Sequence, residues 1–151
     1  MRRIRYTWSA SGLSERAIVD TGPLVAFLDV RERHHDWAVE TTRRVRGPML
    51  TCEAVLTEAA YLLRGYPAAV ESLCGLVGNG HLLVPFDLAR EVDAVWRLMK
   101  KYRNVPMSLA DACVVRMSEL FDDHHVFTLD TDFRVYRKHA RKAIPVLLPQ
   151  G

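Results

Sequence analysis

Long apolar runs are missing from this 151-residue chain. Nothing in it approaches the roughly 20 consecutive apolar residues of a membrane-spanning helix, so no membrane association is expected. The basic start Met1-Arg2-Arg3-Ile4-Arg5 is not followed by the apolar stretch of a secretory signal, and the reading is a cytoplasmic protein. Cysteine is scarce. Cys52, Cys74 and Cys113 are odd in number, widely spaced and form no Cys-x-x-Cys pair, which excludes a disulfide framework and a thiolate zinc site. Each sits among apolar neighbours and reads as a small buried hydrophobe. His34-His35 and His124-His125 lack a His-x-x-x-His spacing and read as helix-edge and loop residues. A strong charge imbalance is missing too: net charge is +3, which permits a polyanionic partner without requiring one.

What is present is a chain that is 49% hydrophobic and 26% charged, enough for one domain with a true core. Residues 1–16 lack clean periodicity and read as an N-terminal extension; the domain proper is expected over 17–151. Short apolar runs suited to buried strands recur at Ala17-Ile18-Val19, Pro48-Met49-Leu50-Thr51, His81-Leu82-Leu83-Val84, Val126-Phe127-Thr128-Leu129 and Ile144-Pro145-Val146-Leu147. Between them the patterning predicts helices over about 21–29, 34–46, 53–63, 67–77, 87–101 and 108–120, with a further short helix before the last strand. Strands alternating with helices imply an α/β protein whose parallel sheet is covered on both faces. In such sheets ligands gather beyond the carboxyl ends of the strands.

Five carboxylates stand out against this frame. Glu58 falls on an apolar stripe with Val55, Ala59 and Leu62, an expensive place for a carboxylate unless it is paired or bound to a cation. Pairing with an arginine such as Arg64 at the helix rim is the structural alternative, and the well-defined stripe places it second. Asp20 ends the first strand, where aspartate is also a favoured helix cap. Asp111 closes Ser108-Leu109-Ala110-Asp111, a Ser-x-x-Asp capping box. Asp130 and Asp132 flank Thr131 after the fourth strand, where aspartates commonly build turns. Each of these aspartates has a structural reading as good as its functional one. Jointly, Asp20, Asp111, Asp130 and Glu58 converge on one sheet edge, where they repel one another unless cations neutralise them. An all-oxygen set suits Mg²⁺ or Mn²⁺.

Ile18-Val19-Asp20-Thr21, Thr57-Glu58-Ala59, Ser108-Leu109-Ala110-Asp111-Ala112 and Thr128-Leu129-Asp130-Thr131-Asp132-Phe133, in this order, resemble the motifs of the PIN-domain nucleases, the family that includes VapC-like toxins. The resemblance covers about residues 17–148. It implies a three-layer α/β/α sandwich around a mainly parallel sheet of four to five strands. It also implies Asp20, Glu58, Asp111 and Asp130 as the catalytic, metal-holding quartet, with Asp132 assisting Asp130, and Thr21 and Thr128 supplying hydroxyls beside them. Where many relatives carry Ser after the Asp-Thr pair, this chain has Gly22-Pro23.

The function so implied is hydrolysis of RNA phosphodiester bonds with Mg²⁺ or Mn²⁺ as cofactor, as a processing enzyme or as the toxin of a type II toxin–antitoxin pair with an antitoxin protein as partner. Basic residues at Arg97, Lys100, Lys101 and Arg103, ending one helix, and at Arg134, Arg137, Lys138, Arg141 and Lys142, crowding the last, would then hold the RNA backbone. The alternatives are a PIN-like binding module without activity and, with a poorer fit, an acidic-pocket phosphoacceptor domain. The alanine- and leucine-rich helices over 53–77 are expected to leave apolar surface, and a homodimer is inferred from that.

Overall fold

The protein was analysed as a computed structural model that describes residues 15–151. Residues 1–14, most of the expected extension, lie outside the described residues. The elements run β1 (Arg16–Val19), α1 (Thr21–Leu28), α2 (His35–Arg44), β2 (Met49–Leu50), α3 (Glu53–Leu62), α4 (Pro67–Gly78), β3 (Leu82–Leu83), α5 (Leu88–Lys101), α6 (Leu109–Leu120), β4 (His124–Phe127), a 3-10 turn (Thr131–Arg134), β5 (Arg137–Lys138), β6 (Lys142–Ala143) and β7 (Val146–Leu147).

The main sheet has the order β3-β2-β1-β4-β7, and all its pairings are parallel. Ile18, Val19, Val126 and Phe127 are fully covered, as expected of central strands buried on both faces. From β1 the chain steps through β2 to β3 in one direction, then returns past β1 to β4 and on to β7. Parallel crossovers are right-handed, so opposite step directions place α1–α4 on one face and α5–α6 on the other. The packing agrees in the main: α1 contacts α2, α3 and α4, and α5 contacts α6, while α3 and α6 also meet each other. The result is an α/β/α sandwich. The reversal falls between β1 and β4, the switch point at which open α/β sheets bind ligands.

α6 is a largely enclosed helix. Its small residues Ala110, Ala112 and Cys113 are buried with Val114, Val115 and Met117, so its backbone lies close against the sheet. α5 is its opposite, with only Val95 buried and its N-terminus capped by Asp87, which accepts from the backbone N–H groups of Ala89 and Arg90.

Several expectations need correction. His124 and His125 belong to β4 rather than to a loop, and His124 is buried with its ring against Asp123 at 2.8 Å. β4 ends at Phe127, two residues earlier than its apolar run suggested, so Thr128 already lies beyond the strand. The basic run from Arg134 to Lys142 is no helix: past the 3-10 turn it forms an antiparallel β5–β6 hairpin. The hairpin is fastened by charge, with Lys138 Nζ 2.9 Å from Asp122 and the His139 backbone N–H donating to Glu119. Cys74 is exposed, whereas Cys52 and Cys113 are buried. On α3, Leu62 is 55% exposed and Leu63 is buried in its place, which turns the apolar stripe to Val55, Ala59 and Leu63 and leaves Glu58 on its exposed flank instead of facing inward.

Candidate active site

Asp20 follows β1 directly and is buried, with 6% of its surface exposed. It occupies the cap position of α1, yet its side chain makes no capping hydrogen bond. The carboxylate instead accepts from the Thr128 hydroxyl at 2.8 Å, across the gap between the ends of β1 and β4. Thr128 is itself fully buried, and its Oγ1 accepts from the backbone N–H of Asp130 at 2.9 Å. One hydroxyl therefore ties the first carboxylate to the loop that carries the fourth. Burial raises the Asp20 pKa to about 6; Thr128 and the Thr21 backbone oppose the rise, and the nearby Asp111 and Asp130 add to it.

Asp111 does more than cap its helix. The capping box is real: Ser108 Oγ accepts from the Asp111 backbone N–H at 3.0 Å, and Asp111 Oδ2 accepts from the Ser108 backbone N–H at 3.1 Å. The same Oδ2 also accepts from the Tyr136 hydroxyl at 3.3 Å. Oδ1 has no hydrogen-bond donor among the described residues. Burial raises the Asp111 pKa despite the Ser108 backbone bond, and Asp130 adds to the rise. Asp130 caps the 3-10 turn by accepting from the Asp132 backbone N–H at 2.8 Å. Asp132 is half-buried inside that turn. Burial, then Asp111, Asp132 and Asp130, push the Tyr136 phenol well above its ordinary pKa, so it stays protonated and remains a donor.

Glu58 reaches the group from the other side. It is exposed, but its Oε2 accepts from the Thr21 hydroxyl at 2.9 Å, and Thr21 is the residue after Asp20. Arg64, the partner of the structural alternative, lies elsewhere, with its guanidinium 3.9 Å over the Tyr61 ring. The fold thus brings Asp20, Asp111 and Asp130 within electrostatic reach of one another, with Glu58 linked through Thr21 and Asp132 beside Tyr136. Among the described residues, no three carboxylate, imidazole or thiol side chains are close enough to make a ready-formed cation cage. The donor chemistry nevertheless fits a hard divalent cation. It is all oxygen, and the ion pairs of the fold, such as Arg116–Glu91 and Lys138–Asp122, leave these carboxylates without a basic partner among the described residues.

A sheet order of the 3-2-1-4-5 kind differs from the 2-1-3-4-5 order of the phosphoacceptor fold weighed above. The PIN domain family model matches residues 17–139, a span that includes all five carboxylates. The chain belongs to the PIN domain family. It is similar to Ribonuclease VapC26 of Mycobacterium tuberculosis, 27% identical over 116 residues that make up 75% of this chain and 85% of the relative. In fold it matches a crystal structure of VapC20 from Mycobacterium tuberculosis, named a Sarcin-Ricin loop cleaving toxin. That match has a TM-score of 0.72 at 17% identity and covers 79% of this chain and 93% of the other.

Two features of this PIN domain were out of reach of sequence reading. Tyr136 carries no local signal, because a tyrosine four residues after Asp132 reads as ordinary core. The departure at Gly22 has a steric side: a Cβ there would lie 3.1 Å from Leu129 Cβ, in the segment joining Thr128 to Asp130. A groove of about 740 Å³, lined by residues that include Trp37, Thr41, Arg44 and Leu147, holds none of the five carboxylates.

Proposed function

We propose that this PIN domain is a ribonuclease that hydrolyses RNA phosphodiester bonds with Mg²⁺ or Mn²⁺, and that it serves as the toxin of a type II toxin–antitoxin pair. The observation that carries the chemistry is Asp20. A buried carboxylate raised to about 6, by burial first and by two neighbouring carboxylates as well, lacks a basic partner among the described residues and calls for a cation to neutralise it. The naming of a relative as a ribonuclease supports RNA as substrate, and the naming of a fold neighbour as a toxin supports the biological role. An RNA substrate is consistent with a cytoplasmic protein. Among the described residues no helix is long and apolar enough to cross a membrane.

Asp20, Asp111 and Asp130 would hold the cation. Asp130 is preferred over Asp132 because it is Asp130 that raises both Asp20 and Asp111. When bound, a divalent cation supplies Lewis-acid polarisation of the scissile phosphate and makes nearby water more acidic. Glu58, oriented through one oxygen by Thr21, takes the proton of the attacking water on its other oxygen. Arg134 and Arg103, exposed on the turn after Asp130 and on the loop before Asp111, are placed to contact the RNA backbone. Tyr61, Leu62 and Tyr66 expose apolar surface on and beside α3, which supports a homodimer and a helix-bearing antitoxin as further partner.

Cleavage of single-stranded RNA is expected with Mg²⁺ or Mn²⁺, none in EDTA, and none from Asp20→Asn with an unchanged circular dichroism spectrum. Cleavage that persists in EDTA or in Asp20→Asn removes the mechanism. A solution mass of one chain, 17.2 kDa, removes the homodimer.

A further inference from the structure

Tyr136 is completely buried, and its ring packs edge-on against Tyr102 and Phe133 at centroid distances of 5.1 and 5.2 Å. Phenylalanine would fill that space equally well, so the hydroxyl is the feature that needs an explanation. A buried tyrosine hydroxyl requires a partner, and here the partner is the Asp111 carboxylate, whose Oδ2 accepts from it in a long hydrogen bond of 3.3 Å. The helix cap does not need this second donor, because Ser108 and Asp111 already satisfy each other. The backbone around Tyr136 is fixed on both sides. Its N–H donates to the Asp132 carbonyl at 3.0 Å, and the next N–H, of Arg137, donates to the Tyr102 hydroxyl at 2.9 Å.

We infer that Tyr136 is a positioning residue for the acidic site: its hydroxyl joins the Ser108 N–H on Asp111 Oδ2 and leaves Oδ1 as the oxygen that meets the cation. An aspartate χ2 is broad and would otherwise let the two oxygens exchange. Two donors on one oxygen select a single orientation. Tyr136 also belongs to the segment that carries Asp130 and Asp132, so one turn sets both the loop carboxylates and the orientation of the helix carboxylate. This inference rests on the cation-dependent reading given above.

The test is Mn²⁺ binding by calorimetry, beside RNA cleavage and metal-free melting, for the wild type, Tyr136→Phe, Asp111→Asn and the double variant. Tyr136→Phe is expected to weaken Mn²⁺ binding roughly tenfold and to lower kcat with KM for RNA unchanged, while the metal-free melting temperature moves by only a few degrees. In the Asp111→Asn background, Tyr136→Phe is expected to change Mn²⁺ binding no further. A Tyr136→Phe chain that binds Mn²⁺ and cleaves like a functional wild type overturns this assignment alone. A collapse of its metal-free melting temperature also overturns it, by showing a packing role. A wild type that neither binds Mn²⁺ nor cleaves RNA overturns the underlying reading and the assignment with it.

Discussion

Thr21 joins two regions with opposite surroundings. On one side is the Asp20–Thr128 crest at the ends of β1 and β4, where the carboxylate is 6% exposed and Thr128 is fully buried. On the other is the α3 rim, where Glu58 is exposed and takes the Thr21 hydroxyl on one oxygen. A carboxylate in the crest destabilises the folded chain whenever it is ionised without a counter-charge, which the proposed cation would supply. A carboxylate on the rim is solvated and costs almost nothing, so its role has to come from chemistry rather than from burial.

The largest expected effect would break this contrast at the crest. The Asp20 pKa is raised from 3.8 to about 6 in the folded state. Between roughly pH 4 and 6 the folded chain therefore binds more protons than the unfolded one, and the contribution of this group to stability falls as pH rises through that window. The loss is on the order of 3 kcal/mol. Metal-free Asp20→Asn should thus be more stable than wild type near pH 7.5, lose that advantage below about pH 4, and gain nothing from Mn²⁺ that stabilises the wild type. Urea melts in EDTA and in Mn²⁺ across pH measure this; equal curves for the two chains would mean that the crest carries no electrostatic strain.

At the rim, Glu58→Gln should lower RNA cleavage on the order of 100-fold if the carboxylate takes the water's proton, while stability stays within about 0.5 kcal/mol. Single-turnover rates and a melt on the same sample decide it. Normal cleavage would leave Glu58 as a rim residue and confine the chemistry to the crest. The smallest effect sharpens the boundary between the two regions. Gly22→Ser restores the hydroxyl found in many relatives, but its Cβ would press on Leu129 at 3.1 Å. A cost of about 1 kcal/mol is expected, read as a shift in urea midpoint; an unchanged midpoint would show that the Leu129 segment yields freely.

Much of this was legible in the sequence because it is local. The apolar runs of β1 and β4 announce buried parallel strands, Gly47-Pro48 and Gly78-Asn79-Gly80 mark helix ends, and Ser108-Leu109-Ala110-Asp111 spells out its capping box. The β5–β6 hairpin was not legible. Its two-residue strands have no apolar alternation, and it is held by Lys138 on Asp122 and His139 on Glu119, partners distant in sequence. On α3 the choice of Leu63 over Leu62 as the buried leucine depends on how the helix is rotated against α1, α4 and α6, which a run of adjacent apolar residues leaves open.

By itself the sequence determined the alternation of strands and helices, the placement of Asp20 and Asp130 after strands that share one direction, and the family to which the motifs point. Only the tertiary structure decided what each carboxylate does with its oxygens. Asp20 declines the helix cap for Thr128, Asp111 keeps its cap and adds Tyr136, and Glu58 turns to Thr21 instead of Arg64. The physical reason is that capping, turn-building and cation-holding all draw on the same aspartate. Which of them prevails is set by donors such as Thr128 and Tyr136, which lie 108 and 25 residues away along the chain from the carboxylates they serve.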